Sequence, residues 1–154
     1  MRRAFARASA LALSTALLAG CDLITGPSGF HELDQARERW AIYGWDTYSY
    51  ELVRSCFCGY PAVGHRVEVV VDHGIVVEAY LVATGQPLPP GSLASFPTVE
   101  DLFDIAEEAL YDADRFDIRY DSRLGFPRLL DIDWIGHAVD DEVFIQAERL
   151  IPIG

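Results

Sequence analysis

RVEVVVDHGIVVEAYL, residues 66–81, is the stretch on which the fold turns. Val67, Val69 and Val71 alternate with Arg66 and Glu68, and Ile75, Val77 and Ala79 flank Glu78. Alternation at a period of two is the mark of a strand with one apolar face, so the segment holds two strands. Asp72-His73-Gly74 lies between them. Glycine tolerates a positive φ, and a tight hairpin requires one. A hairpin cannot bury its own apolar face, so the flanking chain must supply further strands and a covering layer.

The N-terminal flank supplies both. Tyr48, Tyr50 and Leu52 alternate with Ser49 and Glu51, a third strand. Before it, residues 31–45 read as a helix: Leu33, Ala36, Trp40 and Tyr43 share one face, with Glu32, Arg37, Glu38 and Arg39 on the other. On the C-terminal side a proline-rich stretch, TGQPLPPGSLASFP (84–97), intervenes, and then the pattern restarts. Thr98-Val99-Glu100-Asp101 resembles a capping box opening a helix whose apolar stripe is Val99, Leu102, Phe103, Ala106 and Leu110. Three strands follow, around Phe116, Ile118 and Tyr120, around Leu130, Ile132 and Trp134, and around Val143, Ile145 and Ala147. The predicted fold is α+β. Two tandem helix-plus-three-strand repeats, halves 31–83 and 98–154, form one antiparallel sheet of about six strands with two helices on one face.

The other sheet face is then open. Glu51, Glu68, Glu78, Arg115, Asp117, Arg119, Asp131 and Asp133 occupy its polar strand positions. The last five form the candidate binding face. The plainer alternative is a solvated sheet whose Arg and Asp pair across strands for a few tenths of a kcal/mol each, about 0.2–1.

The N-terminus carries an address. MRRAFAR (1–7) is basic, and ASALALSTALLAG (8–20) is an apolar run of 13 residues, too short to span a ~30 Å hydrocarbon core. Its length is that of a signal-peptide apolar region. It ends in Leu18-Ala19-Gly20-Cys21, which resembles the bacterial lipobox. That resemblance implies cleavage before Cys21, diacylglycerol on its sulfur and acylation (palmitate and similar chains) that holds the chain to a membrane. Residues 1–20 are then a lipoprotein signal peptide, 21–30 the lipidated Cys with a short tether, and 31–154 a single α+β domain. Asp22 resembles the signal that retains lipoproteins in the inner membrane of Gram-negative bacteria, on its periplasmic face.

Charge narrows the partners. Twenty-four acids face 12 basic residues, all Arg, for a formal net charge of -12. Such a surface repels phosphate backbones, so nucleic acid is excluded as a partner. Apart from Cys21 the thiols are Cys56 and Cys58, in Cys56-Phe57-Cys58-Gly59. Three readings stay open: a structural disulfide, helped by a turn at Gly59-Tyr60-Pro61; a redox-active pair; and free thiols or a soft-metal site. His31, His65, His73 and His137 are scattered and show no zinc-ligand spacing. Asp140-Asp141-Glu142, with Asp131 and Asp133, makes an acidic cluster whose spacing matches no EF-hand loop. No G-x-S-x-G or S-x-x-K occurs, and Lys is absent. The chain is therefore not expected to be an enzyme, and no cofactor or metal is expected.

Several stretches together resemble a family of uncharacterised bacterial lipoproteins, a domain of unknown function. They are Tyr48-Ser49-Tyr50, Arg54-Ser55-Cys56-Phe57-Cys58, Thr98 to Phe103, Tyr120-Asp121, Gly125-Phe126-Pro127, Asp131-Ile132-Asp133 and Asp140-Asp141-Glu142. The resemblance spans about residues 45–150 and implies no activity. The layout also resembles the β-lactamase-inhibitor-like fold, which implies binding by analogy alone. The expectation is a monomeric, membrane-anchored extracytoplasmic lipoprotein that acts as a non-catalytic binding module toward an envelope protein. The alternative is a cysteine-dependent redox or metal-binding lipoprotein using Cys56 and Cys58.

Overall fold

The computed structural model describes residues 27–138 and 140–153. The expected signal peptide, the lipobox-like stretch with Cys21 and the first part of the expected tether lie outside the described residues. Helix α1 (Pro27–Tyr43) leads into strands β1 (Tyr48–Cys56), β2 (Arg66–Asp72) and β3 (Ile75–Leu81). A short β4 (Gln86–Pro87) and a 3-10 turn (Pro90–Ser95) follow. Helix α2 (Val99–Asp112) and strands β5 (Arg115–Tyr120), β6 (Pro127–Asp133) and β7 (Glu142–Pro152) complete the chain. No helix among the described residues is long and apolar enough to cross a membrane.

The class is α+β, with two helices and one antiparallel sheet. The sheet has seven strands rather than about six, in the order β4-β3-β2-β1-β7-β6-β5. The extra strand lies inside the proline-rich stretch, where Tyr80 pairs with Pro87 and Leu81 with Gln86. Proline lacks an N–H, and an edge strand is where that lack is tolerated. Helix α1 starts at Pro27, so the expected tether contributes its last residues to the helix. It ends before Gly44, whose φ of 58° breaks the helical path. The order of elements repeats between the halves, but their places in the sheet do not: β1, first of its half, is central, whereas β5 is at the edge.

The apolar positions read from the sequence meet in one core. Leu33, Ala36 and Trp40 of α1 and Val99, Leu102, Phe103, Ala106 and Ala109 of α2 are buried against Tyr48, Tyr50, Leu52, Val67, Val69, Val71, Leu130, Ile132, Ile145 and Ala147 of the sheet. The start of α2 is fixed reciprocally. The Asp101 N–H donates to Thr98 Oγ1 at 3.1 Å, and the Thr98 N–H donates to Asp101 Oδ2 at 2.8 Å. Two tyrosines of β1 then bind the helix start. Tyr48 Oη accepts the Val99 N–H at 2.9 Å and donates to Glu100, while Tyr50 Oη donates to the Pro97 carbonyl.

The β2–β3 hairpin turns at His73-Gly74, both with positive φ (48° and 74°), as a two-residue primed turn requires. Its apolar alternation is not continuous, however. Val70 pairs with Glu78 but Val71 with Val76, so Val77 is an extra residue in a bulge. Ala79 and Val76 turn toward the core, and Ile75 is 66 % exposed.

Candidate functional site

The face of the sheet away from the helices carries the polar strand residues. Its centre is an ion-pair network. Arg66 on β2 reaches Glu51 on β1 at 3.1 Å and Glu148 on β7 at 2.9 Å, and Arg149 reaches Glu51 at 2.8 Å. With two guanidiniums against it, the Glu51 side chain is only 13 % exposed. The two carboxylates hold the Arg66 guanidinium more firmly protonated than usual. Arg149 arrives by a bulge: between Ser49 and Glu51 the β1–β7 register slips, and Arg149 adopts a φ of 53°. Glu148 and Arg149 were not singled out in the sequence, because only a left-handed residue within the strand aims Arg149 at Glu51.

The five candidate residues gather at the β5–β6 end. Arg115 and Asp133 are register partners, and Arg115 donates to Asp133 through Nε at 2.9 Å and through a second guanidinium nitrogen. Arg119 chelates Asp117 two residues back on its own strand, at 3.1 and 2.5 Å. Each carboxylate raises its arginine's pKa. Asp131 lies opposite Asp117 on β5 and opposite Phe144 on β7, and no cation pairs with it among the described residues. Arg115, Phe116, Asp117, Asp131, Asp133 and Glu142 line an open hollow of about 320 Å³. Four carboxylates and one guanidinium line it, and that guanidinium is committed to Asp133. Its uncommitted charge is therefore negative, which suits a cationic group on a ligand.

Cys56 and Cys58 are joined in a disulfide, with Cα atoms 5.3 Å apart. Cys56 is opposite Val143, the residue after Glu142, so the bridge sits at the same end of the sheet as the acidic hollow. Phe57, held between the two sulfurs, is 80 % exposed. The loop is braced behind it: the Gly64 N–H donates to the Arg54 carbonyl at 2.8 Å, and the Arg54 guanidinium lies 4.2 Å from the Tyr60 ring centre. Arg54 also donates to the Ser95 carbonyl at 3.1 Å.

Asp140, Asp141 and Glu142 do not converge on a metal site; among the described residues no group of three or more His, Cys, Asp or Glu is placed to hold an ion. Of the histidines, His73 is engaged by its hairpin, with Nδ1 3.3 Å from Asp46 Oδ2. That contact holds the Asp46 carboxyl below its usual pKa. No curated protein and no solved structure matches the chain. Residues 32–152, from the second turn of α1 to the end of β7, match the model described as Family of unknown function (DUF6174), and the chain belongs to that family.

Proposed function

We propose that the chain is a lipoprotein, anchored through Cys21 on the extracytoplasmic side of a membrane, whose open sheet face binds a partner protein of the cell envelope. The observation that carries the binding reading is the acidic hollow between β5, β6 and β7. Asp131 stands there with no cation among the described residues, beside Glu142 and two arginine-paired aspartates. A partner presenting Arg or Lys would gain charge-assisted hydrogen bonds from these carboxylates. The Cys56–Cys58 bridge supports export, because disulfides persist in oxidising compartments. The two-repeat layout, resembling the β-lactamase-inhibitor-like fold, supports binding at the level of architecture only. Crosslinking pulldowns from envelope fractions test the reading. Asp131→Arg with Glu142→Arg reverses the uncommitted charge of the hollow and should abolish capture; capture at the unaltered level would overturn it. Cys21→Ser should release the chain from the membrane fraction, and continued membrane retention would remove the anchor.

A second reading rests on the exposure of the bridge. A disulfide held in an exposed loop is open to attack by an external thiolate, so Cys56 and Cys58 fit a thiol–disulfide exchange role. In that exchange a dithiol substrate leaves as a disulfide and Cys56 and Cys58 are reduced, so Cys56→Ser with Cys58→Ser should remove oxidation of a dithiol substrate while leaving thermal unfolding nearly unchanged. Lack of any such activity in the unaltered chain would end this reading.

A further inference from the structure

Strand β5 is the last strand of the sheet, and no described residue pairs with its outer edge. Free edges invite pairing with another chain, and proteins commonly block them with charge. Here the charges do more than block. Residues 115–121 read Arg-Phe-Asp-Ile-Arg-Tyr-Asp, with signs alternating plus, minus, plus, minus at every second position. Laid antiparallel against itself about Ile118, the segment pairs Asp117 with the second copy's Arg119 and Arg115 with the second copy's Asp121. Phe116 meets Tyr120, and Ile118 meets itself. Every charge is set opposite its counter-charge, and every apolar residue opposite an apolar one. Arg119 would share its guanidinium between its own Asp117 and the second copy's, whereas Arg115 is held by Asp133 and Asp121 caps its own turn, so the central pairs carry the match.

Registers centred toward the start of β5 lose this match, and centring on Tyr120 would need the turn residues Asp121 to Arg123 as strand. Centring on Asp117 sets that aspartate against itself and Arg115 against Arg119. Centring on Phe116 sets Ile118 against Asp114. The backbone agrees with the Ile118 register. Asp121 donates its N–H to Phe126 across the β5–β6 turn. The β5–β6 register slips between Arg119 and Tyr120, but the extra residue, Arg128, is on β6, so the alternation along β5 itself is unbroken. It turns the N–H and C=O groups of Phe116, Ile118 and Tyr120 away from β6, toward the free edge. Ile118 and its copy would form a doubly hydrogen-bonded pair on the twofold axis.

We propose that β5 is the interface of a symmetric homodimer, two copies joining edge to edge about Ile118 into one continuous sheet with all helices on one face. This replaces the monomer expected from the sequence, and it does not depend on the envelope partner proposed above, because the test contains no other protein.

The test uses the full-length chain in non-ionic detergent, with protein mass read by sedimentation across a concentration series. The unaltered chain should sediment as a dimer. Arg119→Asp sets aspartate against aspartate at both central pairs, and Asp117→Arg sets arginine against arginine; each should weaken the dimer at least tenfold. Mixed in equal amounts, the two variants again oppose plus to minus at both positions and should recover the dimer. A chain monomeric up to about 100 μM, a single variant that dimerises like the unaltered chain, or a mixture that stays monomeric would each overturn the proposal; that concentration bounds a dimer at roughly 5 kcal/mol. A second variant guards against misfolding of the charge mutants. Ile118→Cys brings two thiols together on the axis, where opposed Cα atoms are about 5.5 Å apart, within disulfide range. Mild oxidation should yield a covalent dimer linked at residue 118, and a chain that remains uncrosslinked would refute the register.

Discussion

Gly125 holds a φ of 89°, and a Cβ built there would fall inside contact distance of the Ala36 carbonyl and 2.9 Å from Arg39 Cβ. The obstacle is the backbone of α1, which has no room to yield. Gly125→Ala should therefore cost about 3 kcal/mol, combining left-handed strain with overpacking. Gly29 is the contrasting case: its added Cβ would meet only the Leu110 Cδ2 tip, a flexible side-chain end. In that helix Ala is intrinsically favoured over Gly by about 1 kcal/mol, so Gly29→Ala should be near neutral. Urea unfolding of both variants checks the pair, and equal losses would contradict the account. The sequence displayed Gly125-Phe126-Pro127 as a motif but not its reason, because the crowding comes from α1, distant in the chain. The buried tyrosines make a second residue-scale prediction. Burial pushes the Tyr48, Tyr50 and Tyr120 phenols above their ordinary pKa. The unfolded chain ionises them near pH 10 while the folded chain keeps them neutral, so stability is intact below about pH 10 and declines above it. One pH unit past that point, a fully buried tyrosine such as Tyr50 should account for about 1.4 kcal/mol of loss. Urea midpoints at about pH 9 and about pH 11 measure it, and Tyr50→Phe should flatten the slope.

Elements were legible where one local rule governs them. The helix start at Thr98 was readable because its cap needs only residues three apart, and both reciprocal hydrogen bonds form. Thr98→Ala leaves the Asp101 N–H without its side-chain acceptor and should cost about 1 kcal/mol, whereas Thr98→Ser should cost only a few tenths. Thermal unfolding separates them, and equal destabilisation would mean that the threonine methyl, not the hydroxyl, matters. Legibility failed at the bulges. Ile75, Val77 and Ala79 share a face in any regular strand, yet the extra residue at Val77 turns Ile75 outward while Ala79 stays buried. A bulge shifts register by one residue and exchanges the faces, and its site depends on the partner strand rather than on the strand's own pattern. Arg149 is the same failure with a consequence for the site. Its left-handed φ brings a second cation to Glu51, at a position where alternation predicts nothing unusual.

At the scale of the whole molecule, strand order was the least legible feature. The centre of the sheet joins β1 to β7, so Glu51 pairs with Glu148 and Cys56 with Val143 across most of the chain. No local pattern encodes such a pairing; it emerges because each three-stranded half leaves one apolar edge that only the other can complete. The candidate face was legible as a set of polar positions, but its internal pairing was not, since Arg119 folds back onto Asp117 rather than across to β6. Net charge supplies the prediction at this scale. The ion pairs at the site are largely exposed on the arginine side, 77 % for Arg115 and 70 % for Arg149, so each contributes between 0 and about 1 kcal/mol. Against them stands a formal charge of -12, compressed on folding into a small volume. Salt weakens both effects, and the magnitudes decide which dominates. Raising NaCl from about 20 mM to about 500 mM shortens the screening length from about 20 Å to about 4 Å. Repulsion among charges spread over the whole surface falls steeply across that range, whereas close pairs, already weak, have less to lose. The chain should therefore gain about 2 kcal/mol with added NaCl, seen as a rise of several degrees in the unfolding midpoint. Sodium sulfate at matched ionic strength should give a larger rise, because it adds the exclusion effect of sulfate to screening. A midpoint that falls with NaCl would show that the pairs, led by the Glu51 network, outweigh the repulsion, and would reassign that network from the open face's decoration to its main support.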